Sequence, residues 1–288
     1  METGFAPGAA YLESADLKPR PARHGLSRGI YLLPSLFTAG TLVCGYVALL
    51  STLRGDFEYA AKAIGYAIVF DMLDGRIARL TNSSSDFGRE FDSLADVISF
   101  GVSPAFLAFA WGVRPIEDIV GTQVAQHLRE AGWVITFAFV ICGAARLARF
   151  NIHSARPAQD RRHFVGLPIP GGAGVIAAVV HWAKYPVNDW IYGVVWLIVV
   201  GLVAFFMVSR MRYPTFKTVD FRRRRSYMGI ILIGIAVYAI WAYSEYALLV
   251  IAVVYALYGP AARLASKIRP RPPSANIESS PGAEVPAT

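Results

Sequence analysis

The sequence predicts an all-α, polytopic membrane protein of about eight transmembrane helices, and three observations predict it. Of its 288 residues 55% are hydrophobic and 17% charged, where a soluble domain carries roughly a quarter charged residues. Several apolar runs approach or exceed the ~20 residues a helix needs to cross the hydrocarbon core. The basic residues are also segregated. With both ends of the chain on one side, all but five of the 28 Lys and Arg (the exceptions being Arg54, Lys62, Arg114, Arg129 and Lys184) fall on that side. The positive-inside rule makes it the cytoplasm. The net charge of +8 is therefore a topological feature, and nucleic acid is not expected as a partner.

The first 28 residues are polar, contain Pro and lack the apolar stretch of a signal peptide. A disordered cytoplasmic segment is expected there. The transmembrane domain is expected over 29–266. Its helices fall at 30–52, 57–80, 91–113, 132–150, 168–186, 190–209, 227–244 and 246–264. The first is the run YLLPSLFTAGTLVCGYVALL. The second passes from AIGYAIVF into DMLDGRIARL, and RLTNSSSDF supplies turn residues before the third, VISFGVSPAFLAFAWG. The fourth ends on ARLARFN, and the fifth opens on GLPIPGG, where Pro suits a first helical turn. The last three are apolar runs punctuated by Gly and Pro, which membrane helices tolerate. Arg222 to Arg225, beside the seventh, read as a topology determinant and as a contact for anionic headgroups. Residues 267–288 are Pro- and Ser-rich with no apolar period, so disorder is expected. Cys44 and Cys142 lie in separate apolar segments and read as small core residues.

The chemistry is concentrated between the second and third helices. Asp71, Asp74, Gly75, Ala78 and Arg79 share one helical stripe, and Gly88, Asp92 and Asp96, spaced four apart, share another. An αα-hairpin lets the two acidic stripes face each other. Four carboxylates in a partly dry site repel and resist ionisation unless compensated. Arg76, Arg79 and Arg89 offset part of that, and a divalent cation would do so more fully. All-oxygen donors favour Mg²⁺, Mn²⁺ or Ca²⁺ over zinc. Four carboxylates suffice for two ions about 3.5–4 Å apart, an arrangement suited to phosphoryl chemistry. Gly75, Ala78 and Gly88 leave room above the acids for a phosphate-bearing ligand; alone, they would read as helix-packing residues.

The pattern Asp71-x2-Asp74-Gly75-x2-Ala78-Arg79-x8-Gly88-x3-Asp92-x3-Asp96 resembles, at every position, the motif of the CDP-alcohol phosphotransferase family. Segments YLLPSLFTAGTLVCGY, ARLARFN and GLPIPGGAG resemble the integral-membrane phosphatidylserine synthases within it. One departure is Ser35 after Pro34, where that group carries Asn. The resemblance implies the CDP-alcohol phosphotransferase fold and a homodimer in the cell (inner) membrane, with the active site cytoplasmic. It also implies CDP-diacylglycerol and L-serine as substrates and Mg²⁺ or Mn²⁺ as cofactor, held by Asp71, Asp74, Asp92 and Asp96. Asp96 is implied as general base. Gly75, Ala78, Arg79, Gly88, Thr38 and Ser35 are implied at the CDP-diacylglycerol.

Arg146, Arg149, Asn151 and His153 form a second polar patch. Arg146 and Arg149 share a face, suited either to membrane anchoring or to an acceptor carboxylate or lipid phosphate. The acidic motif handles the donor, so acceptors such as glycerol 3-phosphate, inositol phosphate or choline remain alternatives to serine. A divalent-cation transporter is the rival from another class. It would need acids near the membrane centre, whereas these cluster toward one face.

Overall fold

A computed structural model of the chain describes residues 27–81, 85–115, 122–154, 164–209, 211–213, 234 and 242–268. Among the described residues the regular elements are helices, apart from one two-residue strand pair. Helix α1 (Ser27–Leu53) turns through Gly55, at φ 80°, into α2 (Phe57–Thr81). A long rod follows, made of α3 (Asp86–Asp96), a π-helical turn (Val97–Val102) and α4 (Ser103–Gly112). Then come α5 (Thr122–Ser154), α6 (Ile169–Ala183), α7 (Trp190–Val208) and α8 (Ser244–Ile268).

Among the described residues, five helical stretches are long and apolar enough to cross a membrane: Ser35–Leu53, Asp86–Gly112, Gln123–Ile152, Trp190–Val208 and Ser244–Leu264. Helix α6 is apolar but shorter. Helix α2 has the length, but Glu58, Lys62, Asp71, Asp74, Arg76 and Arg79 dilute its apolarity. The seventh expected helix, 227–244, lies almost wholly outside the described residues, as do Arg222 to Arg225. Helix α1 starts at Ser27 and α8 ends at Ile268, three and four residues beyond the expected helix bounds of 30 and 264.

Three boundary differences have a clear local cause. The third helix starts at Asp86, not 91, because Ser85 caps it: the Gly88 N–H donates to Ser85 Oγ at 2.9 Å. The fourth is extended by nearly three turns at its start, to Thr122, through polar residues that hydropathy passes over. The fifth is only Ile169–Ala183, because Lys184 turns to φ 60° and ends it.

With the rod counted as one, helices α1 to α7 alternate in direction. Helix α8 runs parallel to α7, its start near the end of α6 and its second half beside Tyr213, so the bundle has two distinct ends. At one end, Arg149 of α5 donates to the Val208 carbonyl at the end of α7 (3.2 Å), and Asn151 donates to Ser93 of α3 (2.9 Å). At the other, the Val187 N–H donates to the Trp111 carbonyl (3.1 Å), and Lys184 pairs with Glu245 at 2.6 Å. Alanines do much of the close packing: Ala60, Ala61, Ala63 and Ala67 of α2 are buried, and α2 packs chiefly on α1. Small side chains let membrane helices approach closely, where packing must replace a hydrophobic drive. Phe100, Leu107, Phe139, Ile176 and Met207 fill the centre. Trp196 of α7 ties in the rod by donating its Nε1–H to the Ala108 carbonyl at 2.9 Å. Cys44 and Cys142 are half-buried and free.

Strands β1 (Phe164–Val165) and β2 (Arg212–Tyr213) pair antiparallel, Phe164 opposite Tyr213, joining the segment before α6 to the segment after α7. Between β1 and α6, Gly166 at φ 89° lies against the Met207 carbonyl, where a side chain has no room.

Candidate active site

The two acidic stripes meet. Carboxylate oxygens of Asp71 on α2 and of Asp92 and Asp96 on α3 lie within 4.8 Å of one another. Asp74 stands outside that set, although its charge acts on Asp71, Asp92 and Asp96. It is buried, and its Oδ2 accepts a hydrogen bond from the Thr38 hydroxyl of α1. Thr38, expected at the donor nucleotide, thus braces an acid across 36 residues of sequence.

Asp96 is the most enclosed of the three clustered acids, at 8% exposure, and its Oδ1 has no hydrogen-bond partner. Arg146, also 8% exposed, is the cation facing it, and its Nε is likewise unpartnered. A buried polar atom without a partner costs roughly 1–3 kcal/mol, a cost that a ligand at either atom would offset. Each pair of carboxylates at this spacing repels by roughly 3 kcal/mol at an effective dielectric near 20. Clustered hard oxygens, mutual repulsion and an orphaned carboxylate oxygen all suit a divalent cation.

Local sequence explains why α3 aims its acids inward. The π turn follows Asp96 directly; the Ser103 N–H reaches back to the Ile98 carbonyl, and Pro104, with no N–H to give, comes next. Ser99 Oγ donates to the Thr41 carbonyl (3.0 Å) and Ser103 Oγ to the Gly45 carbonyl (2.9 Å), which lashes the rod to α1. Gly45 permits that approach: a Cβ there would stand 2.5 Å from Ser99 Oγ and 2.8 Å from its Cα. Gly45→Ala is therefore expected to cost about 1–3 kcal/mol by overpacking, read as a lower midpoint in thermal unfolding. An unchanged midpoint would mean the rod yields at no cost.

The other expected site residues are placed as follows. Gly75 is exposed, while Gly88, Ala78 and Ser35 are half-buried along the same helices. The side chains of Arg79 and His153 lie outside the described residues. Arg146 and Arg149 do not act together. Three positions turn a helix by 300°, and the remaining 60° puts Arg146 against Asp96 and Arg149 against the end of α7. The sequence held a sign of this. Arg146 continues the buried stripe Ala125, Leu128, Gly132, Thr136, Phe139 and Gly143 at helical spacing, a register in which an unpaired Arg would be costly. Asn151 joins α5 to α3 through Ser93, one position from Asp92.

The family model described as CDP-alcohol phosphatidyltransferase matches residues 31–207. The chain is 36% identical to a CDP-diacylglycerol–serine O-phosphatidyltransferase of Helicobacter pylori (strain ATCC 700392 / 26695) over 207 residues, 72% of this chain and 81% of that protein. It is 30% identical to the proteins so named in Bacillus subtilis (strain 168), over 64% of this chain and 91% of that one, and in Methanocaldococcus jannaschii, over 75% and 92%.

Proposed function

The chain belongs to the CDP-alcohol phosphatidyltransferase family, and from that membership we propose that it transfers the phosphatidyl group of CDP-diacylglycerol to L-serine, forming phosphatidylserine and releasing CMP. The observation that carries this reading is the convergence of Asp71, Asp92 and Asp96 within 4.8 Å at one end of a membrane bundle. Asp71, Asp92 and Asp96, with Asp74 beside them, would hold divalent cations, Mg²⁺ or Mn²⁺ and two to a site. Bound there, such ions would supply positive charge to neutralise the donor's pyrophosphate and the departing CMP.

The chain's own residues do the rest. Asp96 takes the proton of the serine hydroxyl, which is a poor nucleophile at neutral pH. Its unpartnered Oδ1 leaves a lone pair for that proton. The serine oxygen then attacks the phosphatidyl phosphorus, the bond from phosphorus to the CMP oxygen breaks, and that oxygen keeps the electron pair. Arg146, unpartnered at Nε, binds the serine carboxylate, to which a guanidinium is well matched. Asn151 steadies α5 against the acid-bearing helix, and Arg149 holds the end of α7 with a lipid phosphate within its charge's reach. Thr38 keeps Asp74 in place, while Ser35, Gly75, Ala78, Arg79 and Gly88 line the approach of the donor.

Residues 29–266 form the catalytic unit of a homodimer in the cell's inner membrane, with both termini and the acids on the cytoplasmic side. The lopsided distribution of Lys and Arg supports that orientation. The test supplies purified protein with CDP-diacylglycerol and, in turn, serine, glycerol 3-phosphate, inositol phosphate or choline, with and without Mn²⁺. CMP release with serine alone, dependent on the cation, is expected. Release with a different acceptor would end the serine reading.

A further inference from the structure

We propose that Ser99, within the π turn Val97–Val102, is a positioning residue for Asp96, so that a tether to α1 sets the cation affinity of the acidic site. This rests on the reading of Asp71, Asp92 and Asp96 as cation ligands.

The rod carries two stripes at a strict spacing of four residues. Asp92, Asp96, Phe100, Pro104 and Ala108 run along its inward side, half-buried at Asp92 and buried from Asp96 on. Leu94, Ile98, Val102 and Phe106 run along its outward side, and all four are exposed, as a lipid-facing edge is. A straight α-helix does not hold such a pattern, because four residues turn it by about 400° and each step drifts by about 40°. From Asp92 to Ala108 the drift reaches about 160°, enough to carry the core face of α4 away from the acid face of α3. The π turn lies between the two halves and takes up one extra residue, which returns about 100° of that drift. The acids and the core residues of the rod share one side because the turn between them is wound in this way.

The turn is held by its bonds to α1. Ser99, one helical turn past Asp96, is fully buried, and its Oγ donates to the Thr41 carbonyl at 3.0 Å. Ser103, just past the π turn, donates to the Gly45 carbonyl at 2.9 Å and to the Ile98 carbonyl at 2.9 Å. Thr38, three residues before Thr41 on α1, holds Asp74 of α2. Helix α1 carries no acid, yet it gauges both of the helices that do. Close packing against Gly45 would be served as well by alanine at position 99. A hydroxyl bonded to a carbonyl adds direction, and so fixes the height and the rotation of the rod. Asp96 is the last residue before the turn. Without the Ser99 bond the turn is free to relax toward α, which swings Asp96 about the rod axis relative to Asp71 on α2. Ligand oxygens tolerate only about 0.2 Å of misplacement around a cation.

The test is Mn²⁺ binding by the purified full-length protein, read without turnover from the loss of the free ion's electron paramagnetic resonance signal. Ser99→Ala is expected to weaken Mn²⁺ binding roughly tenfold, the low end of what loss of a partner behind the ligands costs a metal site. Ser103→Ala, one turn further from the acids, is expected to weaken it in the same direction and by less. Trp196→Phe is the control, because it removes the hydrogen bond to the Ala108 carbonyl on the same rod, well past the turn. It is expected to lower the unfolding midpoint at least as much as Ser99→Ala does, yet to leave Mn²⁺ binding within about twofold of wild type. An unchanged Mn²⁺ affinity in Ser99→Ala, whatever its midpoint, would leave Ser99 a structural tether and overturn the proposal. Equal weakening in Ser99→Ala and Trp196→Phe would do the same, since general loosening would then suffice. If the wild type itself binds no Mn²⁺, the reading of the three acids as ligands falls, and this inference falls with it.

Discussion

Asp96→Asn is expected to lower CMP release by at least about a thousandfold while CDP-diacylglycerol still binds within about tenfold of wild type. The size follows from what is removed. A positioned general base contributes roughly 10²–10⁴ in rate, and an amide is neither a base nor a strong ligand for a hard cation. A thousandfold corresponds to about 4 kcal/mol of transition-state stabilisation. Donor binding survives because Asp71, Asp92 and Asp74 remain on the same faces. The variant also strips Arg146 of its facing carboxylate, so its unfolding midpoint has to be measured beside the rate. Activity near that of wild type, in protein that is folded, would remove Asp96 from the role of base.

The second large effect is on metal-linked stability, and its sign separates a metal centre from a cluster of structural acids. Clustering three carboxylates within 4.8 Å costs the cation-free protein repulsion that a bound ion relieves. In wild type, Mn²⁺ at about a hundred times its dissociation constant is expected to add about 2.7 kcal/mol, raising the midpoint by several degrees. Asp71→Asn keeps the shape of the side chain and removes its charge. Without cation it should melt at or above the wild-type temperature, because its repulsion with Asp92, Asp96 and Asp74 is gone. With Mn²⁺ it should gain little, and its activity should fall at least a hundredfold. An equal Mn²⁺ shift in both proteins would mean that the ion binds elsewhere. A lower midpoint for the cation-free variant would mean that Asp71 is held by partners and is not repelled by its neighbours.

Class and chemistry were written into the sequence because both depend on local periodicity. Apolar runs of membrane length, and basic residues on alternate loops, need no knowledge of packing. The acidic motif works the same way: 3.6 residues per turn places Asp71 and Asp74 on one stripe and Asp92 and Asp96 on another whatever surrounds them. Helices α2 and α7 fall within one residue of their expected bounds for that reason. The start of α5 did not, since its first turns are polar and hydropathy is blind to them.

Packing alone decided which acids cluster, which arginine stands nearest them and what the last helix packs on. Asp74 stands apart from Asp71, Asp92 and Asp96 because α1 supplies Thr38 at its side. Ser99 and Ser103 turn the rod by bonding carbonyls 58 residues away, and no spacing along the chain encodes that. Arg146 and Arg149 look alike on a helical projection, and only their neighbours on α3 and α7 divide their tasks. Tyr255 is one tyrosine among 14 in the sequence. It becomes distinct once Tyr213 and Gly171 are brought around it. The physical reason is common to these cases. Periodicity fixes the direction of a side chain about its own helix axis, while its partner is fixed by the position of a second axis, which depends on the whole bundle.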